Sequence, residues 1–267
     1  MVKPKNEDKY CLVFDLSGFK NINLNLEKEE LKERVEEWYN FINQNIKNSG
    51  FNQYSVCSDS VFIIEDCNSK SFKKILGFSR TILENGIIQQ FPIRGTITCG
   101  KAYLKENIIY GPAIVEAFER TEQQEWLGII ISDYYNNDKF NDKAKNSINK
   151  LWNWDNVFMY SVPLKNAYGI ELTPVVSWNP QMEILLKNTL DGGLIKEEHE
   201  IKWNWGYKMQ NTIIFYLYKQ IAKYNRLDPR KFYGILPIQL IYSYIKDQSN
   251  SEKIFQKIAR ELIVLED

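Results

Sequence analysis

The sequence predicts an α+β domain, a mainly antiparallel sheet flanked by helices, with a C-terminal helical extension. Three observations predict it. Short apolar runs bounded by Gly, Ser and Asn alternate with longer segments whose apolar residues recur every three or four positions. Over the first half these segments follow the order strand–helix–strand–strand–helix–strand, with further strands after it. From about Ser177 onward the texture becomes helical, and no Gly/Ser/Pro-rich linker marks the change. The division expected is therefore a domain over residues 1–176 and a helical extension over 177–267 packed onto it.

The elements follow in order. Residues 10–15 (YCLVFD) read as a buried strand ending at Asp15, with LSGF as the turn after it. From Glu27 to Lys47, Leu31, Val35, Trp38, Phe41, Ile42 and Ile46 recur at helical spacing and form the expected core face. Residues 53–56 and 60–64 read as two strands of a hairpin that turns at Ser58-Asp59. A second amphipathic helix covers about 69–86, with Phe72, Ile75, Leu76, Phe78, Ile82 and Leu83 inward. Residues 91–99 and 101–104 read as strands around Gly100, Tyr110-Gly111-Pro112 as a turn, and 112–125 as a third helix. LGIIIS (127–132) and VFMYSVP (157–163) complete the strands, a ferredoxin-like layout. Beyond these, 181–188, 205–226 and 228–267 carry helical patterns, with Pro229 and Pro237 as boundaries.

Composition narrows the function classes. Lys+Arg and Asp+Glu both total 34, and no basic run is long enough to hold a polyanion, so nucleic acid is not the expected partner. Cys11, Cys57, Cys67 and Cys99 are scattered without CxxC spacing and read as reduced thiols, three of them in or beside apolar segments. His199, the single histidine, lies in the charged stretch KEEHEIK, which argues against a His-based nucleophile pair or zinc site. The polar N-terminus is no signal peptide, and no apolar run approaches membrane-spanning length, so a cytoplasmic protein without a membrane partner is expected.

The chemistry points to two acids. Asp15 and Asp59 each sit at the end of, or inside, a short apolar strand and beside turn-forming Ser or Gly. The layout brings the end of the first strand beside the hairpin, so both acids can face one pocket and share divalent cations.

These residues resemble the class III nucleotide cyclases. FDLSGF is similar to the first metal-binding segment of that family, SDSVFI to the second, IRGTITCG to its Arg-x-Gly strand and turn, and YGPAIVEAFERTE followed by LGIIIS to its dimerisation arm, helix and next strand. The resemblance spans about residues 8–135 and keeps the order and approximate spacing of all four blocks. It implies a phosphorus–oxygen lyase: the ribose 3′-hydroxyl of a nucleoside triphosphate attacks the α-phosphorus and pyrophosphate leaves. It implies two Mg²⁺ or Mn²⁺ ions held by Asp15, Asp59 and the backbone carbonyl of Leu16. It implies a triphosphate cradle of backbone N–H groups at Ser17, Gly18, Phe19 and Lys20, with Arg94 contacting phosphate or helping to fix Asp59. Lys165 is placed where a family lysine reaches the triphosphate, although a solvated loop lysine is the blander reading. The family's two-fold arrangement implies a homodimer with sites across the interface.

Departures from the family pattern bear on the base. The Asn and Arg that follow the Tyr-Gly turn in purine cyclases align with Val115 and Glu119, with Arg120 one residue off register. The base-selecting positions align with Ser55 and Ile108, neither of which suits adenine or guanine. The segment GPAIVEAFE is similar to the pyrimidine cyclases of Pycsar antiphage systems, whose cyclic UMP or cyclic CMP activates a downstream effector. Tyr54, by filling volume or stacking, would suit the smaller base. The expected substrate is therefore UTP first and CTP second; the alternatives are a purine cyclase with an unusual pocket and a silent nucleotide-binding module.

Overall fold

The computed structural model describes residues 8–89, 91–106, 108–132, 149–165, 169–178 and scattered positions between 212 and 231. Strand β1 (Asp8–Leu16) runs through the middle of the sheet and is buried along almost all its length. A two-residue turn leads to α1 (Phe19–Asn25) and then α2 (Lys28–Ser49). The hairpin β2 (Tyr54–Cys57) and β3 (Ser60–Asp66) follows, then α3 (Ser69–Ile88). Next come β4 (Ile93–Lys101), a ribbon of β5 (Tyr103–Lys105) and β6 (Ile108–Tyr110), and α4 (Pro112–Gln123). The remaining strands are β7 (Ile129–Ile131), β8 (Val157–Pro163) and β9 (Ile170–Val176).

Seven strands form one sheet in the order β2-β3-β1-β4-β7-β9-β8, and β5 and β6 form a separate pair. Every pairing is antiparallel except β4 with β7, so the expected α+β class with a mainly antiparallel sheet is what the chain adopts.

Alternation along β1 divides the core. Tyr10, Leu12, Phe14 and Leu16 face the side covered by α2 and α3, where Trp38, Phe41, Phe72 and Phe78 pack. Cys11 and Val13 face the other side, against Ala113, Ile114 and Ala117 of α4. Small residues let α4 lie close: the Thr98 hydroxyl donates to the carbonyl of Ala113 and that of Thr121 to Thr96 Oγ1, at 2.9 and 3.0 Å. Local chemistry ends the elements. Gly50 closes α2 at φ 69°, and the Asn68 side chain accepts from the N–H groups of Lys70 and Ser71 to cap α3.

Three expectations change. Val35 is 39% exposed, although Leu31 before it packs against the core and full burial on α2 begins at Trp38. Strand β9 is not among the expected elements: Pro174 interrupts its apolar run, and it pairs with β8 along its whole length. Helix α1, of sequence FKNINLN, was also unread. The expected helix 181–188 and His199 lie outside the described residues, as do most of 205–226 and 228–267. Where the C-terminal part is described it packs on the sheet: Phe215 lies 4.8 Å from the ring of Trp126 and 5.2 Å from that of Phe158. No described helix is long and apolar enough to cross a membrane.

Candidate active site

The site begins with strand register. Asp15 sits opposite Arg94 across β1 and β4, on the α4 side of the sheet. Both are buried, and the guanidinium forks onto the carboxylate: Nε donates to Oδ1 at 2.8 Å and Nη2 to Oδ2 at 3.0 Å. Nη1 donates to the carbonyls of Glu122 and Gln124 at 3.0 and 3.1 Å, which ties the end of α4 to the pair. Burial opposes the charge on Arg94, but Asp15 outweighs it and the guanidinium pKa is raised. Gly95 is required beside this pair: a Cβ there would stand 2.8 Å from both Phe14 Cβ and the Val13 carbonyl oxygen.

Asp59 occupies the bend between β2 and β3, next to Ser58 in the left-handed region at φ 58°. Its carboxyl is pushed up to about 6, first by burial and then by the negative charge of Asp15; Arg94 and the Ser58 hydroxyl act in the opposite direction. The two acids, 44 positions apart (59 − 15), thus occupy one electrostatic neighbourhood. Lys165, after β8, joins it. Its pKa is lowered by burial first and Arg94 second, against the pull of Glu125, Asp15 and Glu122.

The ladder also orients the carbonyl of Leu16. The Ser17 N–H donates to the Pro92 carbonyl at 2.7 Å, which makes Ser17–Pro92 a hydrogen-bonded rung of β1 with β4. Rungs alternate, so Leu16, opposite Ile93, directs its N–H and C=O the other way, toward β3. The last pair of β1 with β3 is Phe14 with Val61, and Ser58 and Asp59 form the turn that precedes β3. Asp15 and the Leu16 carbonyl stand at the end of β1, and Asp59 lies in the turn just before β3, within reach of the charges of Asp15 and Arg94.

That donor set is oxygen-only, the chemistry hard divalent cations take. Arg94 occupies one lone pair on each Asp15 oxygen and leaves the others for a cation. Among the described residues no group of three or more His, Cys, Asp or Glu side chains is arranged to hold a metal, so the fit rests on two carboxylates and a carbonyl.

The other expected residues fall as follows. Ser17 is buried and its N–H is committed to Pro92, which removes it from the expected phosphate cradle. Gly18, at φ 92°, turns the chain into α1, which Phe19 and Lys20 open. Arg94 is directed to Asp15 rather than to Asp59. Tyr54 and Ser55 lie on the edge strand β2, whereas Ile108 is 66% exposed on the β5–β6 ribbon, so the base candidates stand on two sheets. Val115 and Glu119 are exposed on α4, and Arg120 pairs with Glu171 of β9 at 2.5 Å. Glu122 and Glu125 were not anticipated; their place at the end of α4, beside the Arg94 strand, was the available signal.

No protein-family model matches the sequence, and no curated protein matches it. Solved structures with a similar fold include the adenylyl cyclase CyaB from P. aeruginosa, at 14% identity over 65% of this chain and 95% of that one, with a TM-score of 0.44. The guanylate cyclase domain of RhGC from Catenaria anguillulae, in complex with GTP, is similar at 15% identity over 64% of this chain and 96% of that one, TM-score 0.45. The monomeric guanylyl cyclase domain of the RhoGC fusion protein from Blastocladiella emersonii is similar at 13% identity, 64% and 95% coverage, TM-score 0.46.

Proposed function

We propose that this chain is a nucleotide cyclase that converts UTP, or next CTP, to the 3′,5′-cyclic monophosphate and pyrophosphate. The observation that carries the reading is that Asp59, at the bend before β3, feels the charges of the buried Asp15–Arg94 pair at the end of β1 and β4. When bound there, two Mn²⁺ or Mg²⁺ ions supply activation of the 3′-hydroxyl and neutralisation of the triphosphate. The chain's own part is positioning: Arg94 locks the Asp15 carboxylate, and the hairpin bend presents Asp59 beside it. Gly18, Phe19 and Lys20 open the turn that receives phosphate oxygens. Lys165 adds positive charge to the same neighbourhood. Ser55 and Ile108 align with the positions where purine cyclases carry base-reading groups, and Tyr54, next to Ser55, suits a smaller base. The active form is a homodimer, and the product serves as a second messenger in antiviral defence, as the sequence resemblance implies.

One observation favours a second reading, a silent nucleotide-binding module: both oxygens of Asp15 are already engaged by Arg94. Incubating the protein with each of the four nucleoside triphosphates and Mn²⁺, with product identification by mass spectrometry, separates these readings. Cyclic UMP or cyclic CMP is expected, with turnover abolished in Asp15→Ala and in Asp59→Ala. Cyclic AMP or cyclic GMP as the main product overturns the pyrimidine assignment, and no turnover by the wild type overturns the enzyme.

A further inference from the structure

Cys67 and Cys99 are separated by 32 positions, yet the fold brings their sulfurs to 3.2 Å. Cys99 lies on β4 opposite Tyr10 of β1, and Tyr10 in turn lies opposite Glu65 of β3. A Cys67–Cys99 contact therefore crosses β1. Cys67 reaches across because it sits past the end of β3 at the apex of a tight turn, in which the Asn68 N–H donates to the Asp66 carbonyl at 2.8 Å. Cys99 is buried, whereas Cys67 is half-buried and is the sulfur a small solute meets first. The contact with Cys67, and then burial, holds the Cys99 thiol protonated. Cys11 takes no part: it faces α4 on the other side of the sheet, and burial pushes its thiol up to about 12.

We propose that Cys67 and Cys99 are a peroxide-responsive thiol pair that closes to a disulfide across β1. The sulfurs need to approach by about 1.2 Å to reach bonding distance. The Cys67 thiolate attacks one oxygen of hydrogen peroxide; the O–O bond breaks, hydroxide leaves and takes up the thiol proton, and Cys67 becomes a sulfenic acid. Cys99 then attacks that sulfur, the S–O bond breaks, and the departing hydroxide takes the Cys99 proton as water. Two thiols and one peroxide become one disulfide and two waters, and a dithiol reductant reverses the change. The closed loop contains all of α3, so the disulfide staples β3 and β4 to the strand between them. The staple lies about 17 Å along β1 from Asp15, five residues at the strand rise, and does not depend on the cyclase reading.

The test uses the 267-residue chain carrying Cys57→Ser, which removes the exposed thiol on β2. Treatment with equimolar hydrogen peroxide is expected to lower the intact mass by two hydrogens and to yield a Cys67–Cys99 peptide in a non-reducing digest. The melting temperature should rise by roughly 5 °C, an increase that a dithiol reductant abolishes. The Cys57→Ser/Cys67→Ser variant should form no internal cross-link. Oxygen addition at Cys67 without a cross-link, a cross-link through Cys11, or a cross-link that persists without Cys67 each overturns the proposal.

Discussion

Asp59 is held where burial and the charge of Asp15 both resist its ionisation, so its pKa moves from 3.8 to about 6. The folded chain therefore keeps that proton more tightly than the unfolded chain does. The carboxyl favours the fold fully below about pH 4, and its contribution fades as the pH rises through 6. A two-unit shift corresponds to about 3 kcal/mol, and solvent screening at this half-exposed bend reduces it to about 1 kcal/mol. In chelator, Asp59→Asn should melt roughly 2–4 °C higher than wild type at pH 8 and no higher at pH 3.5. Mn²⁺ at pH 8 should raise the melting temperature of the wild type and not of the variant. An equal gap at both pH values would refute the shift, and an equal response to Mn²⁺ would refute the cation assignment. Both acids were legible in the chain because each ends or interrupts an apolar strand beside turn residues. That Arg94 forks onto Asp15 and not Asp59 was not, because it depends on which strands lie side by side.

At the scale of elements, α4 is the piece that closes the acid-bearing face of the sheet. Ala113, Ala117 and Thr121 repeat at helical spacing and are all buried against β1 and β4. With Ala117 fully buried, Leu in its place has to displace either the helix or the strands. Ala117→Leu is expected to cost about 1–3 kcal/mol in urea unfolding and to lower turnover by shifting the carbonyls that Arg94 holds. Unchanged stability would mean that α4 packs more loosely than its small residues imply. The periodicity of α2 and α3 was readable from apolar spacing, since a helix buries whatever recurs on one face. The exposed Val35 marks where that reading stops: spacing identifies a face but not which of its residues the packing partner covers. Pro174 marks the other limit, a local rule overridden by seven rungs of pairing with β8.

At the scale of the whole molecule, the β8 end of the sheet is completed by residues far along the chain. Phe215 is fully buried among Trp126, Phe158, Tyr160 and Trp178, and the Pro229 carbonyl accepts the Met159 N–H at 2.8 Å. Phe215→Ala should cost about 3–5 kcal/mol in equilibrium unfolding while leaving the acids in place. A loss below about 1 kcal/mol would show that this contact is not part of the cooperative core.

By itself the sequence determined the class of fold, the order of its strands and helices through residue 163 apart from α1 and β6, and the two carboxylates, because hydrophobic periodicity and turn chemistry are local properties of the chain. Tertiary structure decided that Arg94 belongs to Asp15, that the Leu16 carbonyl turns away from β4, that β9 enters the sheet beside β7, and that Cys67 meets Cys99. Each of those is a matter of register between segments distant in the chain, which the packing of the whole sheet sets and which no single stretch of residues encodes.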